Sequence, residues 1–140
     1  MRVFLILLMV LCHVSTAQAW KAPEQPKAQI FAVYFSAKWC PNCHILSPII
    51  AEARTKGELD TKPIVFITLD LTDKSTIYQS QMLASALGLG DYLAAQGSST
   101  GYLALVDASS KKELARFDSK ATVDGMIREI NKALVSVQAQ

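Results

Sequence analysis

Apolar residues in this chain fall into two patterns, short near-continuous runs and stripes at helical spacing. Ile30 to Ser36 is an almost unbroken apolar and aromatic run, as expected of a central strand covered on both faces, and Pro63 to Asp70 forms a second. Between them Ile45, Leu46, Ile49, Ile50 and Ala53 recur at helical spacing, and Gly57 is expected to end that helix as a left-handed cap. Two such strands joined through a helix should lie side by side and parallel. Ser75 or Thr76 is expected to cap a helix carrying Ile77, Met82, Leu83, Ala86 and Leu87, which Gly88 and Gly90 then break. Asp91 to Ala95 can add a further helical turn with Asp91 as its cap. Gly97 to Gly101 reads as a flexible loop. Tyr102–Asp107 and Glu113–Phe117 flank the polar turn Ala108 to Lys112, which predicts a hairpin. Val123, Met126, Ile127, Ile130, Leu134 and Val137 then form a stripe opposite Arg128, Glu129 and Lys132, so a last amphipathic helix closes the core. The order is strand, helix, strand, helix, strand, strand, helix, with no internal repeat.

The first residues belong to a different pattern. Arg2 is followed by an apolar run from Val3 to Cys12, then Ser15, Thr16 and Ala17-Gln18-Ala19. A positive start, a short apolar core and small residues at A-x-A spacing read as a secretory signal peptide cleaved after Ala19. The alternative is an uncleaved anchor, but the run is shorter than the ~20 apolar residues a spanning helix needs. Pro23 and Pro26 make residues 20–29 an exposed lead-in, since prolines at that spacing disfavour helix and remove ladder donors. Residues 30–140 then form one domain, long enough to bury a core without staples. The expected location is periplasmic or secreted, as a monomer without a stable membrane span once the signal is removed. A net charge of +2 with no basic run excludes a polyanionic partner, nucleic acid included.

Export changes the cysteine arithmetic. Of three cysteines, Cys12 leaves with the signal peptide, and Cys40 and Cys43 remain in one Cys-x-x-Cys motif. A pair so close cannot staple distant parts of a fold, but it can close into a small-ring disulfide and reopen. Cys40 falls between a strand and a helix, where unpaired N–H groups and the helix dipole favour an anion, so its thiolate should attack and Cys43 should resolve. Pro41 suits the first helical position. Two other readings stay open at this point. Structural zinc would need four ligands, of which the chain offers Cys40, Cys43 and His44 besides Cys12 and His13 in the leader. Cys40 to His44 also matches the C-x-x-C-H attachment motif of c-type haem, although no second axial ligand is evident.

Phe35-Ser36-Ala37-Lys38-Trp39-Cys40-Pro41-Asn42-Cys43-His44, with Pro48 five residues after the second cysteine, resembles the active-site segment of the thioredoxin superfamily. The resemblance implies a thioredoxin-like α/β fold, a four-stranded mixed sheet flanked by helices. It also implies an exported thiol-disulfide oxidoreductase with Cys40 as nucleophile and Cys43 as resolving thiol. Protein thiols and disulfides would be its substrates, an upstream redox partner would set its state, and neither cofactor nor metal is called for. A thioredoxin-fold binding module with idle or metal-bridging thiols is the alternative. Three departures stand out. The buried acid of the family, six residues before the first cysteine, is Tyr34; the dipeptide between the cysteines is Pro-Asn; and Gly101 stands where the family has a cis-proline before the strand at Tyr102. Trp39, Thr100 and Gly101 are the expected substrate contacts, and His44 is expected to be an exposed first-turn residue near the thiols.

Overall fold

The computed structural model describes residues 27–139, so the expectations for a leader at 1–19 and for most of the lead-in lie outside the described residues. The elements are β1 (Ile30–Ser36), α1 (Pro41–Lys56), a 3-10 turn at Leu59–Thr61, β2 (Ile64–Asp70), α2 (Lys74–Ala86), α3 (Gly90–Gln96), β3 (Tyr102–Asp107), β4 (Glu113–Phe117) and α4 (Val123–Gln138). Strand order is β2-β1-β3-β4. β1 pairs parallel with β2 and antiparallel with β3, and β3 pairs antiparallel with β4. This is the expected four-stranded mixed sheet.

Alternation along β1 divides the core into two layers. Ile30, Ala32 and Tyr34 face α1 and α4, packing with Leu46, Ile50, Met126 and Ile130. Phe31, Val33 and Phe35 face α2 and α3, packing with Ala84, Leu89 and Leu93. All six residues of β3 are buried, which makes it, with β1, the centre of the sheet. The start of β1 is tied down by Gln29, whose N–H donates to the Pro63 carbonyl at 2.8 Å.

Several boundaries differ from the pattern in the sequence. The left-handed residue after α1 is Glu58 (φ 48°) rather than Gly57 (φ −89°). Gly57 is small for a packing reason, because a Cβ there would lie 2.9 Å from the Ala53 carbonyl oxygen and 3.0 Å from Ile127 of α4. α2 is capped by Asp73, not by Ser75 or Thr76. Its carboxylate accepts from the Ser75 and Thr76 N–H groups while the Thr76 hydroxyl accepts from the Asp73 N–H, a complete capping box. Nor does α2 bury its largest residues: Ser80 and Ala84 face the sheet, whereas Met82, Leu83 and Ala86 are exposed. Small residues let the helix lie close to β2, and the buried Ser80 hydroxyl is satisfied by the Asp70 carbonyl at 2.9 Å. Asp91 lies in the first turn of α3, whose cap position is Leu89.

The hairpin turn gives a pH prediction. Buried Asp107 accepts from the N–H groups of Ser110 at 2.6 Å and Ser109 at 2.8 Å, and these bonds, Ser110 foremost, hold its carboxyl below the ordinary carboxylate value. A lowered folded-state value stabilises the fold above the unfolded value of about 3.9, and that contribution is lost as pH falls through the folded value. Asp107→Asn is therefore expected to melt earlier than wild type at pH 7, with the gap in Tm closing below about pH 4. A gap that stays constant down to pH 2 would contradict this account.

Candidate functional site

The site forms where β1 ends and α1 begins. Cys40 occupies the N-cap position of α1 in extended conformation, with Pro41 beginning the helix. Its sulfur accepts the N–H of Cys43 at 3.2 Å, a helix-start donor shared with the Cys40 carbonyl at 3.1 Å. Cys40 and Cys43 are joined in a disulfide with Cα atoms 5.3 Å apart. Both residues are nearly buried, at 4% and 3% exposure, so geometry at the helix start separates them and burial does not.

Three polar devices frame the pair. Tyr34 rises from β1 behind Cys43, and its hydroxyl donates to the Cys43 carbonyl at 2.9 Å. Burial raises its phenol above the ordinary value, so the group stays a neutral donor where the sequence pattern lacks an acid. Thr72, just after β2, clamps the Lys38–Trp39 loop. Its hydroxyl accepts the Lys38 N–H at 2.9 Å, its carbonyl accepts the Trp39 indole N–H at 3.1 Å, and both its N–H and hydroxyl donate to Asp70 Oδ1. Asn42 reaches across the site, where its Oδ1 accepts from the Ser119 hydroxyl at 3.2 Å. Neither Thr72 nor Ser119 was identifiable as a site residue from spacing; the only signal is the polar Asp70-Leu71-Thr72-Asp73 that ends an apolar strand.

The expected substrate contacts lie around this frame. Trp39 is 58% exposed beside Cys40. Gly101 is buried with φ +87°, and a Cβ there would fall 3.2 Å from Cys40 Sγ and 2.8 Å from Asn42 Cβ. Its N–H donates to the Phe35 carbonyl at 2.8 Å, which fixes the loop beneath the disulfide. Thr100, half-buried, leads into it. No peptide bond among the described residues is cis. Pro48 lies inside α1 and leaves the His44 carbonyl without its helical donor. His44 is exposed, as expected, and its Nε2 is 3.0 Å from the Lys38 carbonyl. A cavity of about 190 Å³ beside Cys43 is lined by Tyr34, Lys38, His44, Ser47 and Asp70.

A family model described as Thioredoxin matches residues 12–85, more than half of the chain. The chain belongs to the thioredoxin family. Among solved structures it is similar to a thiol:disulfide interchange protein of that family from Chlorobium tepidum TLS. Identity is 17%, 77% of this chain and 81% of that chain are covered, and the TM-score is 0.52. It is also similar to thioredoxin-2 of a malaria parasite, described as a component of its protein secretion machinery, at 22% identity over 79% of this chain and 89% of that chain, with a TM-score of 0.49. No curated protein matches the chain. Family membership and the Cys40–Cys43 disulfide together make this member of the thioredoxin family a thiol-disulfide oxidoreductase. Among the described residues no three His, Cys, Asp or Glu side chains gather as metal ligands, and no helix is long and apolar enough to cross a membrane.

Proposed function

We propose that this thioredoxin family member is an exported enzyme that exchanges disulfides with protein substrates, with Cys40 as the attacking thiol and Cys43 as the resolving thiol. The observation that carries the assignment is the Cys43 N–H donated to Cys40 Sγ at the start of α1, a bond that favours negative charge on Cys40 and not on Cys43. In the reductive direction the Cys40 thiolate attacks a substrate disulfide, forming a mixed disulfide and releasing one substrate thiolate. Cys43 loses its proton, attacks Cys40 Sγ and releases the second, so two electrons pass to the substrate and the protein closes its own disulfide. The oxidative direction is the reverse, with the same groups.

Trp39, Thr100 and Gly101 form the substrate-contacting rim in this reading. Exposed Trp39 offers an apolar face next to the sulfur, and Gly101, lacking a side chain, lets its own backbone lie close against Cys40 and Asn42. Export rests on the leader pattern of residues 1–19, and an upstream redox partner would restore the reacting state of residues 30–140. Replacing Cys43 with serine is expected to trap substrate proteins as mixed disulfides on Cys40, released by reductant and identifiable by mass spectrometry. Cys40→Ser should trap none. Adducts on Cys43 in preference to Cys40 would overturn the assignment.

A further inference from the structure

Resolution requires Cys43 to lose a proton, and this chain has no acid in β1 behind it. Tyr34 occupies that place, but it is a neutral phenol that donates to the Cys43 carbonyl, and a neutral phenol is too weak a base to take a thiol proton. The cavity beside Cys43 brings a different base within reach. Tyr34, Lys38, Cys43, His44, Ser47 and Asp70 are among the residues that line its volume of about 190 Å³, which is large enough for several waters at about 30 Å³ each. His44 is the exposed end of this space and Cys43 the buried end.

The imidazole's tautomer follows from its partner. The Lys38 carbonyl can only accept, so Nε2 carries the hydrogen in their 3.0 Å bond, and in the neutral ring Nδ1 is left as an acceptor. Imidazole bases are also better matched to a thiol than carboxylates are, since proton transfer is most efficient between groups of similar acidity. Asp70, the other base on the cavity, already has one carboxylate oxygen engaged by Thr72.

We propose that His44 accepts the Cys43 proton, relayed through water in this cavity, when the mixed disulfide is resolved; the proposal rests on the reading of Cys43 as the resolving thiol. The Cys43 S–H bond breaks, the proton passes to His44 Nδ1, and the Cys43 thiolate attacks Cys40 Sγ. The Cys40–substrate S–S bond breaks and the substrate leaves as a thiolate. The groups facing His44 are Tyr34 of β1, Lys38 of the β1–α1 loop, Cys43 on its own helix and Asp70 of β2.

The test uses the reduced full chain carrying Cys12→Ser, so that only Cys40 and Cys43 react, and a symmetric aromatic disulfide that releases one coloured thiolate on attack by Cys40 and a second on resolution by Cys43. His44→Gln keeps a donor for the Lys38 carbonyl but has no basic nitrogen. It is expected to slow the second release about tenfold or more at neutral pH and to remove its neutral-range inflection, while the first release stays within about twofold of wild type. Asp70→Asn should retain the inflection. The proposal is overturned if His44→Gln resolves like wild type, if both releases slow equally, or if the inflection vanishes in Asp70→Asn alone. A wild-type protein lacking any second release would strike instead at the roles assigned to the cysteines.

Discussion

Replacing Gly101 with proline, the residue the family usually places here, is expected to unfold or inactivate the protein rather than to restore a thioredoxin-like groove. Proline holds φ near −65°, whereas Gly101 adopts +87°, and proline has no N–H to donate to the Phe35 carbonyl. Space is also missing. Any Cβ at this position meets Asn42 Cβ at 2.8 Å and Cys40 Sγ at 3.2 Å, and neither of these is the loose end of a flexible side chain. Gly101→Ala should therefore cost about 1–3 kcal/mol, from left-handed backbone strain and displacement of Asn42. Gly101→Pro should cost more than about 3 kcal/mol, since a ladder-end hydrogen bond is lost as well. Urea unfolding measures the stabilities, and disulfide exchange with a model protein substrate measures the loss at Cys40. A proline variant as stable as wild type would mean that the loop before β3 can rebuild, and that glycine is not demanded by its neighbours.

That prediction depends on contacts the sequence does not display. The strands were legible because their apolar runs have no competing interpretation: β1, β3 and β4 run between the residues expected, and β2 begins one residue late because Pro63 precedes the ladder. α4 was legible for the same reason, since a stripe from Val123 to Val137 leaves one face to bury. α2 was not, because its buried face is Ser80 and Ala84, small residues chosen by closeness to β2, while Met82 and Leu83 are exposed. Hydrophobicity alone cannot reveal a face selected for size. At the site, the Cys-x-x-Cys motif announced itself through local spacing, as did Gly101 through its place before β3. Thr72 and Ser119 did not, since Ser119 lies 77 residues from Asn42 and Thr72 lies 33 from Trp39, and only the closed fold joins them.

The same local geometry sets an expectation for redox poise: the protein should be more oxidising than thioredoxin, with a potential between about −270 mV and about −120 mV. In the dithiol form, whatever stabilises the Cys40 thiolate stabilises the reduced protein and so raises the potential. Three features act in that direction. Cys40 heads α1 and receives the Cys43 N–H at 3.2 Å. Lys38 and His44 place cationic or ionisable groups in the adjoining loop and first turn. Tyr34 stands where the family has an acid, and a neutral phenol raised in pKa by burial adds no opposing charge. Asp70, which also lines the cavity and accepts from Thr72 at Oδ1, is the counterweight. A rise of about 30 mV corresponds to about 1.4 kcal/mol of preference for the dithiol, so the whole bracket spans about 7 kcal/mol. The Cys40 thiol should correspondingly ionise below the free-thiol value of about 8.5. Equilibration with glutathione buffers measures the potential, and thiolate absorbance against pH measures the ionisation. Tyr34→Asp should lower the potential relative to wild type, because a carboxylate behind Cys43 opposes the thiolate. A wild-type potential below that of thioredoxin would show that the helix start and the missing acid do not govern this disulfide.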